Sequence, residues 1–421
     1  VDKFVIKGEN PLIGKVTISG SKNSALPILA ATLLTPEECI IHRVPDLSDI
    51  RYMLEILKFL GAQVHYEKGT VRVKNKIINW IAPYDLVRKM RASICILGPL
   101  IARCGKARVS LPGGCVIGDR PIDLHISGLQ KLGANIDIIK GDVVAQGGQL
   151  RGTTINLRGP YGSTVLGTDN VMMAACRSEG TTIIEGAACE PEVEDLAKFL
   201  VSMGAKISGI GSQRLIIEGV KELHGSEYTI ITDRIEAGTF AVGAAMTKGD
   251  LFLEQAPVNH MTSVLEKLRD CGVTIQVEEN GLRVSRSGPL KAFEIVTSSY
   301  PGFPTDMQAQ FCAMATIACG TSKVVENVFP NRFMHISELK RLGANIELSK
   351  NEVHIYGTER LSGAPVMASD LRASAALVLA GLVADNTTEV HRVYHIDRGY
   401  ERIDEKLLSV GAMIKRVYSK T

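Results

Sequence analysis

Six short clusters of charged or hydroxyl side chains recur along the chain, each ahead of a run that is almost wholly apolar. They are Ser21-Lys22-Asn23, Lys89-Met-Arg91, Ser163-Thr164-Val165, Asp233-Arg-Ile-Glu236, Pro304-Thr-Asp306 and Asp370-Leu-Arg372. Free backbone N–H groups at helix starts attract anions, and clefts open where strands end. Cations and carboxylates at equivalent junctions therefore point to an anionic ligand with acid–base groups beside it. Taken singly, each could be a helix cap or a solvated charge; as a set beside apolar helices, packing does not account for them.

A second set of loops holds Pro112-Gly-Gly-Cys115-Val-Ile-Gly-Asp-Arg120, Glu190-Pro-Glu192, Val328-Phe-Pro-Asn-Arg332 and His395-Ile-Asp-Arg398. Glycines around Cys115 let the backbone approach a ligand, and Arg120 lies five residues on. A guanidinium nearby favours the thiolate, yet a thiol near its ordinary pKa of about 8.5 keeps its proton at neutral pH. Cys115 can thus serve as an acid or as a nucleophile. The other eight cysteines sit mostly in apolar runs and are expected to be buried small hydrophobes.

The elements that must position these residues are legible as a repeat. Gly61, Gly133, Gly204, Gly272, Gly343 and Gly411 stand in related contexts such as Lys131-Leu-Gly-Ala-Asn-Ile and Arg341-Leu-Gly-Ala-Asn-Ile, at spacings of 72, 71, 68, 71 and 68 residues. Each ends an amphipathic stretch and opens an alternating one, which reads as a helix stopped by a left-handed glycine and then a strand. Upstream of each lies a helix apolar on all sides, such as Ala373-Ser-Ala-Ala-Leu-Val-Leu, and such helices are buried on all sides. The unit is β-α-β-α-β-β. The last copy is short of one strand, and Lys3-Phe-Val-Ile-Lys-Gly has the character of that strand. Three units per domain give one domain of residues 20–229 and another of residues 1–19 with 230–421; an open solenoid of six units is the alternative.

Composition narrows the function classes. The 421 residues are 45% hydrophobic and 22% charged, as in a globular protein. Lys plus Arg is 48 against 45 for Asp plus Glu, a net charge of +3, which argues against nucleic acid as a partner. The longest apolar stretch, Ala373 to Ala384, is 12 residues, short of the roughly 20 that a membrane helix needs, so no membrane insertion is expected. Nine cysteines without a Cys-x-x-Cys pair, and no basic segment leading into an apolar one at the start, lead to the expectation of a cytoplasmic protein.

The six-unit architecture, Lys22-Asn23, Arg91, Cys115 through Arg120, Phe303-Pro-Thr-Asp306-Met-Gln-Ala-Gln, Asn331-Arg-Phe-Met-His, Asp370-Leu-Arg-Ala-Ser and His395-Ile-Asp-Arg-Gly-Tyr-Glu-Arg together resemble the enolpyruvyl transferases that act on UDP-N-acetylglucosamine. The resemblance runs along the whole chain. It implies an α/β fold of two inverse α/β barrel domains, and transfer of the enolpyruvyl group of phosphoenolpyruvate to the sugar 3-hydroxyl with release of phosphate, the first committed step of peptidoglycan synthesis. It further implies Cys115, Asp306 and Lys22 as catalytic residues, with the thiol as acid to C3 and Asp306 as base. Lys22, Asn23, Arg120, Arg372 and Arg398 would bind phosphoenolpyruvate. Asn23, Arg91, Arg120, Pro121, Ile122, Asp123, Leu124, Thr164, Val165, Asp306 and Val328 would bind the nucleotide sugar. Fosfomycin would be a covalent inhibitor, and no metal and no cofactor are implied. The segment Gly162-Ser-Thr-Val-Leu-Gly-Thr departs from the family's usual uridine-contacting run. The rivals are the sister transferase acting on shikimate 3-phosphate, the RNA 3′-phosphate cyclase architecture and a non-catalytic repeat scaffold. The cysteine loop favours the nucleotide-sugar enzyme.

Overall fold

A computed structural model of the chain describes residues 2–8, 10–111 and 122–418. The described residues divide into two compact units, one drawn from residues 20–231 and the other from residues up to 19 and from 232 onward. Each unit has its own hydrophobic core.

Each repeat builds one four-stranded sheet. In the 20–231 unit, Ile81–Ala82 runs parallel to Lys106–Ser110, which pairs antiparallel with Asp142–Gly147, and that strand with Ala134–Ile139. Glu227–Thr229, Glu38–His42, Thr70–Asn75 and Ala62–Glu67 make a second sheet in this order, and Thr154–Asn156, Thr181–Glu185, Arg214–Glu218 and Lys206–Ser208 a third. The other unit repeats the plan with Ile13–Thr17, Asp250–Glu254, Gly281–Ser285 and Thr274–Glu278, and with Glu294–Val296, Thr321–Val325, Glu352–Tyr356 and Asn345–Ser349. Its last sheet runs Pro365–Met367, Thr387–His391, Lys3–Lys7 and Met413–Val417. Lys3–Lys7 thus fills the strand position that the sixth repeat lacks, antiparallel to both neighbours. It buries Phe4 and Ile6, each worth about 1.5–3 kcal/mol in transfer from water.

Within each unit the apolar helices pack against one another. Lys22–Ala31, Leu97–Cys104 and Val165–Ala175 do so in one, and Arg234–Met246, Gln308–Ala315 and Leu371–Gly381 in the other. Amphipathic helices such as Ser48–Leu60 and Pro191–Ser202 pack beside them. This is the inverse α/β barrel arrangement, with helices within and sheets without. All six repeat glycines have positive φ, from 89° at Gly343 to 108° at Gly61, the backbone region that spares glycine the strain of a Cβ.

Two details differ from the sequence reading. The apolar helix of the second repeat opens as 3-10 turns over Arg91–Ile96 and becomes α-helical only from Leu97, which puts Pro99, with no N–H to donate back, in the first turn of the α-helix, where a proline is best tolerated. The cysteines are also not uniformly buried. Cys319 is exposed and Cys104 and Cys189 are partly so, since Cys319 follows the end of its apolar helix in the turn that leads to Thr321–Val325. Among the described residues, no helix is long and apolar enough to cross a membrane.

Candidate active site

In the unit containing residues 232–418, two helix starts meet at a carboxylate. Pro304 leads into a 3-10 turn over Thr305–Met307, which sets Asp306 at the entry of Gln308–Ala315. Asp370 caps Leu371–Gly381 by accepting the N–H groups of Arg372 at 2.9 Å and Ala373 at 3.1 Å, which fixes Arg372 in the first turn. Arg372 then donates to Asp306 Oδ2 from Nε at 3.2 Å and from Nη2 at 3.0 Å. Arg332 Nη1 donates to Asp306 Oδ1 at 2.7 Å. The side chains of Arg372 and Arg332 are only 3% and 7% exposed, whereas that of Asp306 is 28% exposed, so the carboxylate is the accessible member. Burial pushes the Asp306 carboxyl up, but the Arg372 and Arg332 guanidiniums outweigh it and hold it well below the usual carboxylate range.

Beneath this group, the Arg372 guanidinium lies 5.3 Å from the centre of the Tyr400 ring. Tyr400 is buried, with its hydroxyl 2.8 Å from Thr239 Oγ1 and 3.2 Å from Gln310 Nε2. Gln310 Nε2 also donates to the Asp306 carbonyl at 3.0 Å. An anionic carboxylate that reaches the surface can take a proton from a hydroxyl, and the cation beside it can meet an anion.

In the 20–231 unit, Lys22 stands at the start of Lys22–Ala31 with its Nζ 3.0 Å from Asp49 Oδ2, in a pair whose side chains are 10% and 2% exposed. Asn23 follows, half-buried, and Ser24 Oγ donates to Asp195 Oδ2. Asp195 also accepts from Tyr228 at 2.6 Å and from the N–H of Ile231 at 3.1 Å, which fixes the helix entry. Arg91 opens the 3-10 turns of the second repeat. Near it, His125 is buried with Nδ1 3.0 Å from Asn170 Nδ2, and burial, with Arg91 adding to it, pushes the imidazole down to about 3.

Of the residues expected to bind the nucleotide sugar, Ile122, Asp123 and Leu124 stand at the entry of Asp123–Lys131, buried, exposed and half-buried in turn. Thr164 caps Val165–Ala175, its Oγ1 accepting the N–H of Gly167 at 3.2 Å, so the capping role holds for Thr164 as it does for Asp233 and Asp370. Val328 is half-buried and donates its N–H to Glu326. Arg398 ends the 3-10 turns over Val393–Arg398 in the unit that also holds Asp306 and Arg372. Cys115, Arg120 and Pro121 lie outside the described residues. Among the described residues, no group of three or more His, Cys, Asp or Glu side chains could hold a metal ion.

The structure brings Asp306 and Arg372 into contact and adds residues not singled out as site residues from the sequence: Arg332, Tyr400, Asp49 and His125. Arg332 and Tyr400 carried a signal, since both fall in the family-like segments after Asn331 and His395.

Comparison with known proteins follows the same line. The sequence pattern of the family described as EPSP synthase (3-phosphoshikimate 1-carboxyvinyltransferase) matches residues 6–407. A UDP-N-acetylglucosamine 1-carboxyvinyltransferase of Methylacidiphilum infernorum is 85% identical over 420 residues, covering 100% of both chains. One from Akkermansia muciniphila is 54% identical and covers 99% of each. Among solved structures, the enolpyruvyl transferase NikO from Streptomyces tendae superposes with a TM-score of 0.90 at 25% identity, covering 100% of this chain and 99% of that one. EPSP synthase from Acinetobacter baumannii, at 19% identity and a TM-score of 0.78, covers 99% of this chain and 100% of its own and shares the fold.

Proposed function

The chain belongs to the EPSP synthase family of carboxyvinyl (enolpyruvyl) transferases, and from that premise we propose that it transfers the enolpyruvyl group of phosphoenolpyruvate to the 3-hydroxyl of UDP-N-acetylglucosamine, releasing phosphate, in the first committed step of peptidoglycan synthesis. The observation that carries this is 85% identity along the full chain with a protein described as a UDP-N-acetylglucosamine 1-carboxyvinyltransferase. The anionic Asp306 beside two arginines supports it, because the reaction needs a base for a hydroxyl next to cations for an anionic donor.

The residues divide the work by their chemistry. Through that chemistry, Lys22, Asn23, Arg120, Arg372 and Arg398 serve the phosphate and carboxylate of phosphoenolpyruvate. Arg91, Ile122, Asp123, Leu124, Thr164, Val165 and Val328 meet the nucleotide sugar. The acceptor oxygen bonds to C2 of the donor while its proton passes to Asp306, and C3 takes a proton from the Cys115 thiol. The C2–O bond to phosphate then breaks, phosphate leaves with its bridging oxygen, and C3 gives up a proton to restore the double bond. The two domains, divided near residues 19 and 230, hold three repeats each. A nucleotide-sugar substrate supports a cytoplasmic location. Fosfomycin, an anionic epoxide, alkylates the Cys115 thiolate, and intact-mass measurement after treatment locates the adduct.

Phosphate release from phosphoenolpyruvate, followed in parallel with UDP-N-acetylglucosamine and with shikimate 3-phosphate, tests the reading. Release only with the nucleotide sugar supports it. Release only with shikimate 3-phosphate transfers the chain to the sister activity, and release with neither removes the transferase reading.

A further inference from the structure

The segment that joins the first repeat to the second carries an exposed face that the transfer does not use. Ile78 is 72% exposed, Trp80 37% and Ile81 38%. Their backbone is held at both ends: the N–H of Ile78 donates to the Leu60 carbonyl at 3.0 Å, and the Trp80 carbonyl accepts the N–H of Arg108 at 2.9 Å. Ile78 lies against Gly61, where an added Cβ would meet its Cγ1 at 2.6 Å, at the end of the helix Ser48–Leu60. Lys106 Nζ stands 3.4 Å from the centre of the Trp80 ring. Lys76 and Lys106 are exposed and, among the described residues, neither pairs with a carboxylate. Residues 74–108 hold eight Lys and Arg against one acid, Asp85, so this stretch of a nearly neutral chain is distinctly basic.

We propose that this face rests on anionic lipid bilayers, with Ile78, Trp80 and Ile81 among the headgroups and Lys76 and Lys106 on lipid phosphates. An indole favours the membrane–water interface, and a lysine stem lies along apolar surface while its ammonium reaches a phosphate. A basic patch is drawn to an anionic leaflet, which supplies the charge that this face lacks. Capture of a peptide as an added strand fits less well, because the edge strand Ile81–Ala82 offers only two residues to pair with. Such contact is peripheral and needs no spanning helix. None of the patch residues is assigned to the transfer, so the proposal stands apart from that reading.

Trp80 is the chain's only tryptophan, so its emission reports on the patch itself. The full chain is titrated with vesicles of phosphatidylglycerol and phosphatidylcholine in equal parts, and with phosphatidylcholine alone, reading co-sedimentation and emission together. Binding to the anionic vesicles with a blue shift of Trp80, weakening as salt rises, and no binding to the neutral ones is the expected result. Lys76→Gln and Lys106→Gln should each weaken that binding about fivefold, and Ile78→Ser about tenfold. Lys350→Gln, an exposed lysine in the other unit, should leave it unchanged. No association with anionic vesicles overturns the proposal. So does association without a blue shift, or one that Lys350→Gln weakens as much as Lys106→Gln does, since either would mean diffuse attraction of the whole chain. A blue shift with polyglutamate but not with vesicles would make the face a dock for an acidic protein and overturn the lipid assignment.

Discussion

Asp306 sits where two demands conflict. The guanidiniums that keep it anionic also weaken it as a base, and its place at the accessible edge of the cluster lets a hydroxyl reach it. Asp306→Asn keeps the shape and removes the base, so kcat should fall by about 100-fold or more in steady-state assays. A variant that keeps more than a tenth of the rate would reject that role. Two histidines add a pH dependence of stability. Burial pushes His125 down to about 3 and His335 down to about 4, so both fold as neutral imidazoles. An unfolded histidine titrates near 6.5, so between that pH and the folded values the unfolded chain binds more protons. Stability should therefore fall as pH drops from 6.5 toward 4, by about 1.4 kcal/mol per pH unit for each histidine, read as urea midpoints. A flat profile over that range, or one unchanged in His125→Gln, would contradict this. Lys22, Asp306 and Arg372 were legible because each stands at a repeat junction ahead of an apolar run. Their partners were not: Arg332 is 26 residues from Asp306, and Asp49 is 27 residues from Lys22, so only tertiary packing pairs them.

At the level of elements, the period of the glycines announced the helix ends, and the vacancy in the sixth repeat announced the strand Lys3–Lys7. The opening of the second apolar helix was harder to read, because a run of apolar residues does not distinguish 3-10 from α turns before Pro99. The alanine and glycine content of these helices reflects close approach. A Cβ on Gly98 would lie 2.2 Å from the carbonyl oxygen of Asn170 on the neighbouring buried helix, and the Gly98 N–H donates to Asn170 Oδ1 at 2.8 Å. Backbone cannot yield as a side-chain tip can. Gly98→Ala should thus destabilise by about 1–3 kcal/mol, through overpacking, despite the better helix propensity of alanine. Urea unfolding checks it: a lower midpoint is expected, and a raised midpoint would show that the helices separate freely.

At the scale of the molecule, the two cores share no residue among the described ones, and the apolar cluster of the 20–231 unit draws on that segment alone. Residues 20–231 expressed alone should therefore fold, with a single cooperative urea transition. They should release no phosphate from phosphoenolpyruvate, since Asp306 and Arg372 lie outside them. A fragment that binds a hydrophobic dye and melts without cooperativity would show that its core needs the remainder of the chain. The central claim is transfer of the enolpyruvyl group, in which the bond that breaks joins C2 to the bridging oxygen. Phosphoenolpyruvate carrying oxygen-18 at the bridging position, turned over with UDP-N-acetylglucosamine, tests it in one measurement of the released phosphate by mass. Phosphate that carries the label, in step with formation of the enolpyruvyl nucleotide sugar, is the predicted result; unlabelled phosphate accompanied by pyruvate would mean cleavage at phosphorus and would contradict the account.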